Sequence, residues 1–320
     1  MRICHFVVVF LVFTLLSANA AAQPIWVSVG YGGRRVSSRD GQKWEHDHRW
    51  SDESKDNDDV LFDVAYGFGR FIAVGGGAKT GHILSTRDGV TWIELPRQGG
   101  RVATVAFGRD RFVAARDAQL LYSLDGDSFA TGQKLDWNGS IHARKSAFGD
   151  GEGGGMFVII GDVDLYEEGE RVSWRAATAD GVTVAKAVHH MPAARDIAFG
   201  GGHFVVVGPN GLIERSHDGL SWVRCESAPN EDFQSVVWTG VRFIAQGRST
   251  WTSAEGLTWT PQSTRIPSAI NWADEVSNRF SIRGIALSWG GRVASSTDLS
   301  HWIQSTIPPG PSLNAVAASE

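Results

Sequence analysis

The feature that most constrains this chain is a turn-forming pattern that recurs along its 320 residues. Each copy has Ser or Thr, then any residue, an acidic residue, usually Gly, and an aromatic residue three positions later. Six copies occupy residues 38–44, 86–92, 123–129, 216–222, 253–259 and 296–302, and a weaker seventh is formed by Glu168, Gly169 and Trp174. A spacing of roughly 40 to 50 residues is typical of radial or stacked repeat folds.

Short apolar segments fill the sequence between these turns. The second repeat contains three of them, at residues 61–67, 69–75 and 82–85, separated by Gly-containing turns. They are rich in β-branched and aromatic residues and lack a helical period. Four short antiparallel strands per repeat, arranged radially, make a propeller blade. The sequence therefore predicts an all-β fold, a seven-bladed β-propeller of four-stranded antiparallel blades.

The two ends of the repeat array indicate how the ring closes. Residues 25–30 match a second strand, so the first blade lacks its own first strand, while residues 313–319 align with residues 61–67. Pairing of this C-terminal strand with the first blade would complete the ring and remove its open edges. We expect residues 1–22 to be a signal peptide and residues 23–320 to form a single propeller domain.

The acidic residue of each turn has a structural explanation. A carboxylate accepts hydrogen bonds from backbone N–H groups just after it, and the Ser or Thr hydroxyl ties the other side of the turn. Equivalent carboxylates spread around a ring cannot converge on one substrate. A structural role is therefore predicted for Asp40, Asp88, Asp125, Asp218, Glu255 and Asp298.

This turn resembles the Asp-box, or BNR repeat, of sialidases, sortilin-type receptor propellers, some xyloglucan hydrolases and the photosystem II assembly-factor family. The resemblance covers nearly all of the chain after the signal peptide and implies a propeller. It leaves the function open, because that superfamily contains enzymes, receptors and assembly factors. In the sialidase branch the boxes lie on the face away from the catalytic pocket, which implies that the opposite face is functional.

The N-terminal segment predicts export. A basic residue at Arg2 precedes an apolar stretch and a small-residue zone that ends near Ala22, the organisation of a secretory signal. Removal of Arg2 takes the formal net charge from −5 to about −6. Cys225 is then the remaining cysteine, which excludes an internal disulfide. We expect a secreted, periplasmic or cell-surface monomer that neither binds nucleic acid nor inserts into a membrane after cleavage.

Polar residues in the interblade and second-to-third-strand connections form the candidate ligand site. These connections share the face opposite the Asp-box turns, where propeller loops gather around the channel. The acidic segment 45–59 could hold Ca²⁺, and the two histidines within it a transition metal. The candidate ligand-binding residues are His46, His48, Asp58, Asp59, Lys79, Arg116, His190 and Arg195.

Aromatic residues at matching positions of the first strands allow two interpretations. They could line a channel that stacks on sugars, or they could be wedges between blades. They are Tyr66, Phe107, Phe148, Phe199, Trp238 and Trp272.

Two functions remain open on the sequence. One is a binding protein that recognises a glycan or a protein partner through its loop-rich face. The other is a carbohydrate-active enzyme, of glycoside hydrolase or lyase type, with carboxylate or histidine chemistry at the channel mouth. No catalytic residue and no obligatory cofactor can be assigned from the sequence.

Overall fold

The computed structural model describes residues 24–53, 55, 58–151, 154–225, 229–276 and 280–319. Seven four-stranded antiparallel sheets follow one another around a central channel. A short 3₁₀ helix at Tyr31–Gly33 connects two strands of the first sheet. The predicted seven-bladed propeller is confirmed. Within the described ranges, no helix is long and apolar enough to cross a bilayer.

Each blade is numbered here in chain order, and its strands run from the channel outward. Blade 1 contains β28 (Leu313–Ala318), β1 (Trp26–Gly30), β2 (Arg35–Ser38) and β3 (Glu45–His48). Blade 2 contains β4 (Leu61–Gly67), β5 (Arg70–Gly76), β6 (Gly81–Thr86) and β7 (Ile93–Glu94). Blade 3 contains β8 (Val102–Gly108), β9 (Arg111–Arg116), β10 (Gln119–Ser123) and β11 (Ala130–Lys134).

The remaining four blades repeat this order without exception. Blade 4 contains β12 (Gly139–Gly149), β13 (Met156–Leu165), β14 (Arg171–Thr178) and β15 (Lys186–Met191). Blade 5 contains β16 (Asp196–Gly200), β17 (His203–Val207), β18 (Ile213–Ser216) and β19 (Val223–Arg224). Blade 6 contains β20 (Ser235–Trp238), β21 (Phe243–Gln246), β22 (Thr250–Ser253) and β23 (Thr260–Gln262), and blade 7 contains β24 (Ala269–Ala273), β25 (Gly284–Ser288), β26 (Arg292–Ser296) and β27 (Ile303–Gln304).

The ring closes through the C-terminal strand, as predicted. β28 pairs antiparallel with β1, with Trp26 opposite Ala318. Ser319 donates its backbone N–H to the Ile25 carbonyl at 2.8 Å, and its hydroxyl accepts the Ile25 N–H at 2.8 Å. The first and last strands of the propeller therefore belong to one sheet.

The hydrophobic core is divided among the spaces between neighbouring blades. Val27 of blade 1 packs with Leu61 and Phe71 of blade 2, and all three are fully buried. Val207 of blade 5 packs in the same way with Phe243 of blade 6. Alternating strand residues thus cover both faces of each sheet, and burial of these faces holds the blades together.

The first-strand aromatics are wedges between blades. The Phe107 ring occupies the space that a Cβ on Gly67 of the preceding blade would need, and Phe148 does the same at Gly108. Trp238 covers Gly200 in the equivalent place. Glycine is required at these positions because a neighbouring ring lies directly against the backbone, so this structural interpretation of the aromatics is the one the geometry supports.

Seven turns, one per blade, share the predicted hydrogen-bond pattern. The acidic side chain accepts the backbone N–H groups two and three residues ahead, at 2.7–3.1 Å, and the residues are Asp40, Asp88, Asp125, Asp180, Asp218, Glu255 and Asp298. In the seventh blade Leu299 takes the glycine position with a φ of 60°.

The fourth turn lies where the sequence interpretation did not place it. The predicted copy at Glu168, Gly169 and Trp174 is wrong, because residues 166–170 connect β13 to β14 at the other end of the blade, and Trp174 is a buried residue of β14. The actual turn centres on Asp180, which accepts the N–H groups of Val182 and Thr183.

Candidate functional site

A cleft of about 1000 Å³ lies across blades 2, 3 and 4. It is lined by the β5–β6, β9–β10 and β13–β14 hairpins and by the segments that lead into β4, β8 and β12. Antiparallel order places these connections at the end of the ring opposite the seven acidic turns. This cleft therefore lies on the face for which the sequence predicted a ligand site.

Three cationic side chains line this cleft. Arg101 lies over the Phe62 ring at 5.3 Å and its Nε is 4.0 Å from Asp117. Arg116 and Lys134 make no ion pair with any residue that the structure describes. Since Asp58 and Asp117 are the acidic side chains in the lining, the cleft carries an excess of positive charge.

The lining of the cleft combines ionisable and aromatic groups. Burial raises the pKa of Asp117, and the nearby Arg101, His142 and Arg116 only partly offset this effect. The His142 Nε2 is 3.3 Å from Asp164. At the rim, Tyr166 is 69% exposed, which leaves its ring available for stacking. Gly99, in the segment that leads into β8, has open space around it, so the backbone is accessible there.

Two of the predicted site residues, Asp58 and Arg116, line this cleft together. Lys79 is exposed in the β5–β6 hairpin, next to the lining residue Ala78. Asp59 lies beside Asp58 in the segment before β4. Arg195 lines the central channel instead, and its guanidinium lies 3.7 Å from Asp232.

The three predicted histidines do not join them. His46 and His48 are exposed residues of β3, the outer strand of blade 1, and His46 lies beside the turn residue Asp40. His190 is in β15, the outer strand of blade 4, 3.6 Å from Glu168. The sequence predicts loops for these segments, because their residues do not alternate between apolar and polar. An outer strand that faces solvent on both sides does not need such alternation.

No group of three or more His, Cys, Asp or Glu that could hold a metal ion is found among the described residues. Within the acidic segment 45–59, Asp47 pairs with Arg34 at 3.0 Å and Asp52 with Arg49 at 2.9 Å. Ser54, Asp56 and Asn57 of this segment lie outside the described residues. These two acidic side chains thus face cations of the protein itself.

The central channel contains a belt of polar residues that the sequence interpretation missed. Its cavity measures about 630 Å³ and is lined by the innermost strands. In blades 2 to 6 the residue three positions before the wedge aromatic is polar, and these residues, called the channel belt below, are Asp63, Thr104, Lys145, Asp196 and Ser235. The sequence contains a signal for this belt, because a polar residue recurs three positions before the aromatic in five of the first strands.

Charged members of the channel belt contact each other across blades. The Lys145 ammonium lies 3.2 Å from Asp63 Oδ1, and Asp63 Oδ2 accepts the Thr104 hydroxyl at 2.7 Å. Asp196 Oδ2 accepts the Val236 N–H of the next blade at 2.9 Å. Burial opposes the charge on Lys145, but Asp63 and Asp196 outweigh it and raise the Lys145 pKa.

The carboxyl group of Asp196 has a strongly shifted pKa. Burial raises the pKa of Asp196 to about 6, and the Lys145 ammonium offsets only part of this effect. A carboxylate that loses water without gaining full compensation is open to a further hydrogen-bond donor.

No family model and no curated protein matches this chain. Three solved structures share its fold. The WD40 domain of Neurospora crassa Pan2 is 12% identical, with a TM-score of 0.56, and the match covers 89% of this chain and 88% of that one. Apo AztD from Citrobacter koseri is 10% identical, with a TM-score of 0.52 and coverage of 90% and 83%. YCF48 bound to D1 peptide is 17% identical, with a TM-score of 0.51 and coverage of 77% and 80%. At these identities the similarity establishes the propeller fold.

Proposed function

We propose that this protein is a binding propeller whose cleft across blades 2, 3 and 4 holds an acidic, extended peptide segment of a protein partner. The observation that carries the proposal is a cleft of about 1000 Å³ whose lining holds more cations than carboxylates, with Arg116 and Lys134 making no ion pair within the described residues. A surplus of positive charge at a concave surface favours an anionic ligand. The open backbone at Gly99 lets an extended chain approach closely.

One solved relative in fold supports a peptide ligand, since YCF48 is described as bound to D1 peptide. A glycan is the second candidate, favoured by the exposed ring of Tyr166 at the cleft rim. Aromatic rings stack on apolar sugar faces, whereas a peptide carboxylate would depend on the cations. The two ligands therefore depend on different residues of one cleft.

The test compares binding to an array of acidic and neutral peptides with binding to a glycan array. The double variant Arg116→Ala, Lys134→Ala should weaken binding of the selected acidic peptides by about tenfold, and added salt should weaken the wild type. The matched control is Arg39→Ala, Arg87→Ala, which removes two exposed cations at the Asp-box end. Equal binding by both double variants would refute the peptide proposal.

Loss of glycan binding in Tyr166→Ala, with peptide binding absent in the wild type, would select the second candidate. Folding of each variant is checked by its thermal unfolding. A cleft variant that unfolds at the wild-type temperature and still binds every ligand at full affinity would remove the cleft from the function.

We also propose that the protein acts outside the cytoplasm, because its first 22 residues have the organisation of a secretory signal. Mass spectrometry of the protein from its native host would then give Ala21 or Gln23 as the first residue. A chain that retained Met1 would contradict export by this route.

A further inference from the structure

The central channel has an acceptor that the protein itself does not fully use. Asp63 is saturated, because its two oxygens accept Thr104, Lys145 and the Val64 and Val105 N–H groups. Asp196 accepts the Val236 N–H through Oδ2. The Ile197 N–H and the Lys145 charge also favour its ionised form. Asp196 thus has fewer hydrogen-bond donors than the equivalent Asp63 three blades away.

Ser235 supplies a second, independent observation. It immediately precedes Val236, lines the same cavity and is 3% exposed, and its Oγ has no hydrogen-bond partner among the residues that the structure describes. A buried hydroxyl without a partner destabilises the folded protein. Such groups in native structures call for a partner, and a bound ligand is one.

The charges of the channel favour a cationic ligand. Asp63 and Asp196 face one cation of the belt, Lys145, which is already held by Asp63 at 3.2 Å. Arg195 donates to the Phe233 carbonyl and lies near Asp232, so its charge is compensated outside the belt. Because the described residues contain no cluster of metal ligands, an organic ammonium group fits better than a metal ion.

We propose that the central channel is a second binding site, which holds a small hydroxylated primary amine. Its ammonium group donates hydrogen bonds to Asp196 and Ser235. Ser146, Gln234 and Asn271 line the same cavity and can bond its hydroxyl groups. A cavity of about 630 Å³ has the size of a small-molecule site. The cleft across blades 2 to 4 plays no part in this site.

Glucosamine and glucose are matched probes, since they differ at one position by an ammonium group in place of a hydroxyl. Isothermal titration at pH 7 should show that glucosamine binds about tenfold more tightly than glucose. Asp196→Asn should abolish the difference, and Ser235→Ala should reduce it several-fold. Arg116→Ala, which changes the cleft alone, should leave glucosamine binding unaltered.

Equal affinities for the two sugars in the wild type, or full glucosamine binding in Asp196→Asn, would overturn the proposal. Asn keeps an oxygen acceptor for the Val236 N–H, so this variant is expected to fold. If it does not, Ser235→Ala decides the outcome, because that change removes only a hydroxyl without a partner. Wild-type glucosamine affinity in folded Ser235→Ala would exclude the site.

Discussion

At the scale of the residue, the carboxylate of each acidic turn replaces hydrogen bonds that a tight turn cannot make with its own backbone. Asp88 Oδ1 accepts the Val90 and Thr91 N–H groups at 2.8 Å and also the Thr86 hydroxyl at 3.0 Å. Although burial of the carboxylate opposes the change, these donors lower the pKa of Asp88. One side chain thereby fixes the conformation of the whole turn.

Asp88→Ala should lower the free energy of unfolding by about 1 kcal/mol, because the two N–H groups lie at the surface and water can replace part of the bonding. Chemical denaturation measures this. Asp88→Asn is the matched control, since it keeps the acceptor oxygen and should retain most of the stability. Loss of ligand binding in an Asp88→Ala protein of unchanged stability would instead give this residue a functional role.

The sequence predicted six of the seven turns at this scale. It missed the fourth because Val184 stands where the others have an aromatic residue, and because Glu168, Gly169 and Trp174 offered a competing match. Thr178, Asp180 and Gly181 keep the residues that make the hydrogen bonds. The aromatic is therefore a feature of blade packing, and the turn forms without it.

At the scale of the element, the strand that closes the ring is the most informative. β28 supplies the inner edge of blade 1, and the Ser28 hydroxyl donates to the Ala315 carbonyl at 2.8 Å. β28 also contributes to the packing against blade 2, where the Asn314 amide donates to the Leu61 carbonyl at 2.8 Å. Two blades depend on this one strand.

Deletion of the residues after Pro311 should lower the thermal unfolding temperature and promote aggregation. The deletion removes the buried residues Leu313 and Ala315 and exposes the edge of β1. Differential scanning calorimetry and light scattering measure the two effects. Addition of the missing segment as a separate peptide should restore part of the stability, and an unchanged, monomeric truncated protein would contradict the closure.

Outer strands were harder to predict from the sequence than inner ones. The inner strand β4 is mostly apolar and mostly buried, which makes it recognisable in the sequence. The outer strand β3 has only polar residues, Glu45, His46, Asp47 and His48. A strand at the rim of a blade needs only backbone pairing on one side. Its side chains carry little information on where it lies.

At the scale of the whole molecule, the cleft could not be located from the sequence. The interblade and second-to-third-strand connections predicted which end of the ring carries the cleft. The choice of blades 2, 3 and 4 depends on how their loops come together, including the β13–β14 hairpin with Tyr166, where the sequence had placed the fourth acidic turn. Separation along the chain does not show which loops form a concave surface.

The acid stability of the molecule should reflect the repeated turns. Backbone and hydroxyl donors lower the pKa of the turn aspartates, including Asp40, Asp125 and Asp180, against the opposing effect of their burial. A lowered pKa in the folded state contributes stability above the ordinary pKa of about 4, and this contribution is lost as the pH falls below it.

We therefore expect the denaturation midpoint to fall steadily as the pH is lowered from about 4 towards 2. An Asp180→Asn variant should show a shallower slope over this range, because it lacks one of the titrating groups. Asp196 acts in the opposite direction, since its raised pKa makes it lose stability as the pH rises from about 4 to about 6. Parallel curves for the wild type and Asp180→Asn would contradict this account.

The pairing of β28 with β1 also has a consequence for biosynthesis. Blade 1 begins with the first strands to leave the ribosome, but its sheet is complete only when the final strand has emerged. Every nascent chain therefore presents the edge of β1 as an unpaired strand for nearly the whole time of translation. Protection of that edge by a chaperone, or by delayed folding, is a requirement that the topology imposes on the cell.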